Sequence, residues 1–218
     1  MLGKHLEYAQ SGSVAEMMVE HDDIGPGVDA DPDERRGLGG CVPLYKVIGA
    51  AAEAGKSLDE IMDIGERFNR HVATLAVAMT GCTHPQNGEP ITVLPDDEME
   101  IGMGQHGEAG GGRSKILTAD ETASRMIAPL MQATGVKAGD TALLIINGVG
   151  ATTLMEMLIV YRKAAQLLAE KGINVTPGAC GEYLTVQEMA GFQMILCKLD
   201  ADHQEYLKAR ARTPYWTA

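Results

Sequence analysis

Aromatic residues are scarce in this sequence. One Trp, six Tyr and two Phe amount to 4% of 218 residues, so aliphatic side chains and 13 Met must fill any core. Basic residues are also in deficit: 18 Lys and Arg face 30 Asp and Glu, a formal net charge of −12. That balance argues against a nucleic-acid partner, which selects a basic face. The longest apolar runs, "TALLII" and "MLIVY", are far too short to span a bilayer, so no membrane partner is expected. "MLGKHLEYAQSGS" contains no long apolar stretch, so no secretory leader is expected. The four cysteines, Cys41, Cys82, Cys180 and Cys197, stand far apart with no CxxC pair. In a chain of this size they read as reduced thiols, and the expected location is the cytoplasm. Cys82-Thr83-His84 offers two ligands at a spacing that fits no standard site, so no metal is expected.

What is present is globular: 45% hydrophobic and 22% charged. Strand and helix patterns alternate, which argues an α/β fold. A short strand is expected over residues 14 to 20, followed by the polar loop "GPGVDADPDERRGLGG". One short strand cannot make a core alone, so it must join a sheet formed elsewhere. Residues 41 to 54 read as a helix ending at Gly55. Ser57 can cap the next helix, "LDEIMDIGERFNRHV", with Asp59 and Glu60 in its first turn. The run "VATLAVAM" leads into a buried strand or a helix end. Thr118 and Glu121 form a capping box for a helix to about Thr134, with Gly135 as its stop and Pro129 expected to kink or shorten it. "TALLIIN" reads as a buried strand, and "TLMEMLIVYRKAAQLLAEK" as a long helix stopped by Gly172. "INVTPGACGEYL" reads as a strand region bent at Pro177-Gly178. Thr185-Val-Gln-Glu188 reads as a capping box on a short helix, "GFQMILCKLD" as a strand and "ADHQEYLKARAR" as a last helix.

Chemistry concentrates in "EMEIGMGQHGEAGGG", residues 98 to 112. Met99, Ile101 and Met103 on one side alternate with Glu98 and Glu100 on the other, the period of a half-buried strand. The strand runs into Gly104-Gln105-His106-Gly107-Glu108, and Gly110, Gly111 and Gly112 follow. Such a chain turns sharply and admits a ligand to its backbone. His106 is the leading candidate for a nucleophile, base or ligand, set against the plainer reading of a loop histidine with local hydrogen bonds. Glu108 stands where it can orient the ring. "INGVGATT", residues 146 to 153, sits between a strand and a helix but has neither GxGxxG nor a Walker lysine, so a tight turn is favoured over an anion site. His5, His21, His71 and His203 have no companions and read as surface or capping residues.

"EMEIGMGQHGEAG" resembles the "E-x-E-x-G-x-G-x-H-G-E-x-G" segment of the dihydroxyacetone kinase family, in its substrate-binding subunit. "RRGLGGCVPLYKVIGAAAEAG", "SLDEIMDIGERFN", "ALLIINGVGATTLMEMLIVYRK", "GEYLTVQEMAGFQMILCKLD" and "TPYW" resemble further landmarks of that family, over about residues 14 to 218. The resemblance implies a two-layer, mixed-sheet α/β domain over residues 57 to 218, with helices on one face. Residues 1 to 56 would be an incomplete piece of a parallel α/β first domain and its connecting helix. Family members are longer. The part without a counterpart here carries a glycine-rich "GGGSGHEP" loop, a second active-site histidine, and a lysine and an aspartate that contact substrate. Lys4 stands near the position expected for that aspartate.

The resemblance implies that His106 is catalytic, attacking a ketone carbonyl and holding it as a covalent hemiaminal, with Gly104, Gly107 and Glu108 beside it in the substrate site. Gln105 stands where the family mostly has small or aliphatic residues, so a ketose other than dihydroxyacetone is an open alternative. No cofactor is expected on this chain. ATP, or ADP recharged by a phosphotransferase protein, with Mg, is expected on a partner nucleotide-binding kinase subunit. A further polypeptide is expected to supply the missing first-domain half, in a homo-dimer or hetero-oligomer. The alternatives are a non-catalytic regulator or carbonyl sensor that keeps His106, and a different His-based activity on the same fold.

Overall fold

The structure, a computed structural model, describes residues 37–104, 107 and 110–213. The strand expected over residues 14 to 20 and the "TPYW" tail from Pro214 onward lie outside the described residues. A short 3-10 turn, Leu38–Gly40, leads into α1 (Cys41–Glu53). Then come α2 (Leu58–Asn69), β1 (Val72–Ala78), β2 (Glu98–Ile101), β3 (Arg113–Lys115), α3 (Ala119–Thr134) and β4 (Thr141–Gly148). The remainder is α4 (Leu154–Glu170), β5 (Asn174–Val175), β6 (Ala179–Gly181), β7 (Gly191–Leu199) and α5 (Ala201–Lys208).

The sheet is mixed, in the order β3-β2-β1-β7-β4-β5, with β6 also on β4. β7 lies at the centre, antiparallel to β1 along its whole length and to β4 from Thr141↔Leu199 to Gly148↔Phe192. β5 and β6 run parallel to β4, one after the other along the same edge. The bend expected at Pro177-Gly178 is what separates them. A Cβ on Gly178 would stand 2.1 Å from the carbonyl oxygen of Leu144, so only glycine lets the chain pass that close to β4.

β4 and β7 are buried along almost their entire length, which explains why both are continuous apolar runs. Their alternating side chains feed two cores. Leu144, Ile146, Met194 and Leu196 face α3 and α4. Leu143, Ile145, Ile195 and Cys197 face α1, α2 and α5. Helices therefore cover both faces of the sheet, and the expected single helical layer is corrected to two. The α/β class and the mixed sheet stand as expected. α1 packs on this same sheet through Leu44, Val47, Ile48 and Ala51.

Local signals hold where a side chain closes a helix end. Ser57 with Glu60, and Thr118 with Glu121, form reciprocal capping boxes. Pro129 does not shorten α3, which continues to Thr134 and stops at Gly135 in the left-handed region. The helix expected after Thr185 is absent. Glu188 has φ +48, incompatible with a helix, and the segment is held instead by a bridge between Gly150 and Met189.

His203 also departs from expectation, being 1% exposed rather than at the surface. Its ring meets Phe68 edge-on at 5.1 Å, with Nε2 3.3 Å from the Ile64 carbonyl and Nδ1 3.2 Å from Asp200 Oδ1. Burial lowers its pKa, and the Arg67 charge lowers it further; Asp200, the Ile64 carbonyl and Asp202 oppose this. The unfolded chain then binds more protons than the folded one just below the ordinary imidazole value of 6.5. Stability contributed here is present above that value and is lost as pH falls through the lower folded value. Urea denaturation of His203→Gln should show a shallower loss of stability between pH 7.5 and 5.5 than the parent chain. An unchanged slope would assign the acid sensitivity to other groups.

Candidate active site

The glycine stretch forms the connection between β2 and β3, residues 102 to 112. The two strands pair in register from Glu98↔Lys115 to Glu100↔Arg113. The two ends of the connection then lie against each other. Gly111 N–H donates to the Ile101 carbonyl at 2.8 Å, and Gly102 N–H donates to Ala76 in β1 at 2.7 Å. A Cβ on Gly110 would stand 2.2 Å from the carbonyl carbon of Gly102 and 2.5 Å from Met103 N. Gly102 itself has φ +88. Glycine at both positions is thus a steric requirement of this crossing.

Glu100 clamps the crossing. Its Oε1 accepts the Gly110 N–H at 2.7 Å, and Arg113 Nε lies 3.6 Å from its Oε2. The residue is 5% exposed. Strand alternation sets Glu100 opposite Met99 and Ile101, yet it is buried: a buried carboxylate is tolerated here because a backbone donor and a guanidinium meet it. The signal available in sequence was an arginine at the cross-strand position, legible only once the hairpin register was known.

Of the expected site residues, Gly104 and Gly107 are described; His106 and Glu108 lie outside the described residues, as does Gln105. Gly107 N–H donates to the Gly104 carbonyl at 3.2 Å, so the two glycines flanking positions 105 and 106 are tied together. Gly107 has φ +84, and a Cβ there would meet Ile91 and Thr92 at 2.7 and 2.9 Å. Thr92 Oγ1 donates to the Gly107 carbonyl at 3.4 Å. The loop is thus backed by the segment that leaves β1. Beneath it Met103 packs in a small apolar cluster with Ala78, Cys82, Val149 and Met189.

That cluster brings the "INGVGATT" turn next to the glycine loop. The turn enters α4 through a capping box: Thr153 caps the helix and Glu156 takes the Thr153 N–H at 2.9 Å. A carboxylate of the chain itself thus fills the place an anion would take, in keeping with the tight-turn reading. Glu182 stands nearby, hydrogen-bonded by the Gly150 backbone, with its acidity weakened by burial. A Cβ on Gly148 would stand 2.2 Å from its Oε1. Sequence reasoning did not single it out, and nothing local in the sequence marks it. Cys82 is buried in the apolar cluster, and His84 Nδ1 accepts the Gln86 N–H at 3.2 Å. Among the described residues no three His, Cys, Asp or Glu side chains gather to hold a metal. No helix of the described residues is long and apolar enough to cross a membrane.

The model of the Dak1 domain matches residues 3–215. The chain belongs to the Dak1 family. The dihydroxyacetone-binding subunit DhaK of a PTS-dependent dihydroxyacetone kinase from Listeria innocua is 39% identical over 202 residues, covering 92% of this chain and 61% of that protein. An L-erythrulose kinase from Pectobacterium atrosepticum is 34% identical, covering 93% of this chain and 35% of its own length. Among solved structures, the dihydroxyacetone kinase operon co-activator DhaQ superposes with a TM-score of 0.75 at 30% identity, covering 80% of this chain and 55% of that one. The dihydroxyacetone kinase of C. freundii superposes with a TM-score of 0.73 at 24% identity, covering 84% and 33%, which bears on the fold alone. The Dak1 chain described here therefore spans less than two thirds of the length of these relatives.

Proposed function

We propose that this chain is the substrate-binding part of a dihydroxyacetone or related ketose kinase and that it holds its substrate covalently through His106. The observation that carries the reading is the Glu-x-Glu-x-Gly-x-Gly-x-His-Gly-Glu stretch, residues 98 to 108, set in a glycine loop whose described flanks are fixed by Glu100, Gly104 and Gly107. The relatives named for dihydroxyacetone and erythrulose support a short ketose as substrate. Chemically, the lone pair of a neutral His106 ring nitrogen adds to the ketone carbon. The C=O π pair moves to oxygen, which takes a proton, and the other ring nitrogen releases one. The product is a hemiaminal with a fixed orientation of the hydroxyl to be phosphorylated. Only a ketone or aldehyde can react so, which excludes glycerol and other plain polyols. Gly104, Gly107 and Glu108 complete the near surroundings in this reading.

The phosphate comes from a separate nucleotide-binding subunit holding ATP or ADP with Mg. The family's other substrate-contacting groups come from polypeptide outside these 218 residues. The working form is thus a homo-dimer or hetero-oligomer, and the cytoplasm is its place. The front division, residues 1 to 56 against 57 to 218, belongs to this proposal as well. A second reading, a carbonyl-sensing regulator, is favoured by one observation: the likeness to a co-activator at 30% identity.

The test is reconstitution. The chain is mixed with a family nucleotide subunit, a first-domain polypeptide and a phosphoryl donor, and offered dihydroxyacetone, erythrulose and glycerol. Phosphorylation of a ketose but not of glycerol is expected. Ketose binding without turnover under every combination would support the regulator, and absence of ketose binding would overturn both.

A further inference from the structure

Away from the glycine loop, a cavity of about 860 Å³ lies between the outer face of α1 and the segment Ala209–Thr213. Its volume is that of a small-molecule site. Its walls are apolar and aromatic: Val42, Tyr45, Ala50 and Tyr183 among them. The walls are fixed in place. Lys46 Nζ donates to the Ala209 carbonyl, which holds the C-terminal segment on α1. Tyr183 N–H donates at 2.7 Å to Oδ1 of the fully buried Asn147, whose Nδ2 reaches Leu184 O at 2.7 Å. These contacts hold two of the cavity's walls, the C-terminal segment and Tyr183, in position.

Its charge is opposite to that of the chain. Lys46, Arg210 and Arg212 line it against one carboxylate, Glu53, in a protein of net charge −12. No carboxylate of the described residues pairs with Arg210 or Arg212. Burial already weakens the hold of Lys46 on its proton, a cost that a bound anion would offset. Two guanidiniums and an ammonium at the rim of an apolar cavity suit a ligand with an apolar body and an anionic head.

We propose that this cavity is a binding site for an amphipathic organic anion, an aromatic or alkyl body carrying a carboxylate, sulfonate or phosphate, separate from the ketose site. Gly49 provides the test. It lines the cavity on α1, and a Cβ there meets nothing within 4 Å. A larger side chain can therefore start from this cavity-lining helical position without a clash at Cβ and without loss of helix propensity.

The whole chain is titrated with 1-anilinonaphthalene-8-sulfonate and, in parallel, with the neutral N-phenyl-1-naphthylamine. Saturable binding of the sulfonate at one site per chain is expected. Gly49→Phe should weaken both probes at least about tenfold while leaving the thermal midpoint unchanged or raised. Arg210→Gln with Arg212→Gln should weaken the sulfonate about tenfold and leave the neutral probe unchanged. Sulfonate binding untouched by Gly49→Phe would place the probe elsewhere and overturn the site. Equal effects of the arginine changes on both probes, or none on either, would overturn the assignment of an anion.

Discussion

His106→Ala is expected to lower ketose phosphorylation by the reconstituted complex by about 10³-fold or more. A covalent anchor places the reacting hydroxyl before the donor arrives, and positioning of that kind is worth about 7 kcal/mol in favourable cases. The loss should exceed what the weaker ketose affinity alone explains, because the uncovered substrate can still visit the site but no longer holds one orientation. His106→Asn should behave as badly, since an amide nitrogen does not add to a carbonyl. Initial rates at saturating ketose, compared with the parent complex, measure this. Near-normal turnover in His106→Ala would mean that the histidine is not the nucleophile.

Gly110→Ala is expected to be the most damaging single methyl in the loop. The added carbon would stand 2.2 Å from the carbonyl carbon of Gly102 and 2.5 Å from both its oxygen and Met103 N. All three are backbone atoms, so relief requires moving the β2–β3 crossing itself, at a cost of roughly 1–3 kcal/mol. That movement would also draw Gly110 N–H away from Glu100, leaving a buried carboxylate without its 2.7 Å donor. Ketose affinity should fall at least about tenfold. Gly111→Ala is the control: its nearest neighbour would be Ile101 O at 3.3 Å, a contact that a small shift accommodates. Calorimetric titration of a ketose into each variant separates them. Equal effects at the two positions would show that the close crossing does not organise the site.

The difference between these neighbouring glycines illustrates what the sequence leaves unreadable. Elements whose signals are local were legible. Ser57 with Glu60 and Thr118 with Glu121 marked helix starts that the structure closes with reciprocal hydrogen bonds. The runs in β4 and β7 announced buried strands because both sheet faces are covered. Expectations failed where a distant partner overrides a local pattern. Thr185 and Glu188 have capping-box spacing, yet Asn147 in β4 takes the N–H groups of Tyr183 and Leu184, and Met189 bridges to Gly150. His203 looked like a cap on a polar helix, but α2 places Phe68 and the Ile64 carbonyl over it. β3 went unread because three residues, Arg113–Lys115, carry no period of their own. In the site, the histidine segment was legible through its likeness to a known family. Glu100 was not singled out because strand alternation knows nothing of a backbone donor ten residues later.

The central claim, covalent capture of a ketose by His106, is tested most directly by carbon-13 NMR of dihydroxyacetone labelled at its carbonyl carbon. The labelled ketose is added to the complex of this chain with its first-domain polypeptide, without phosphoryl donor, so that no turnover intervenes. The account predicts that the bound fraction loses the ketone resonance and gains one in the range of a tetrahedral carbon bearing oxygen and nitrogen. It predicts that His106→Ala shows no such signal. A bound ketose that keeps its ketone resonance, or a tetrahedral signal that survives His106→Ala, would contradict it.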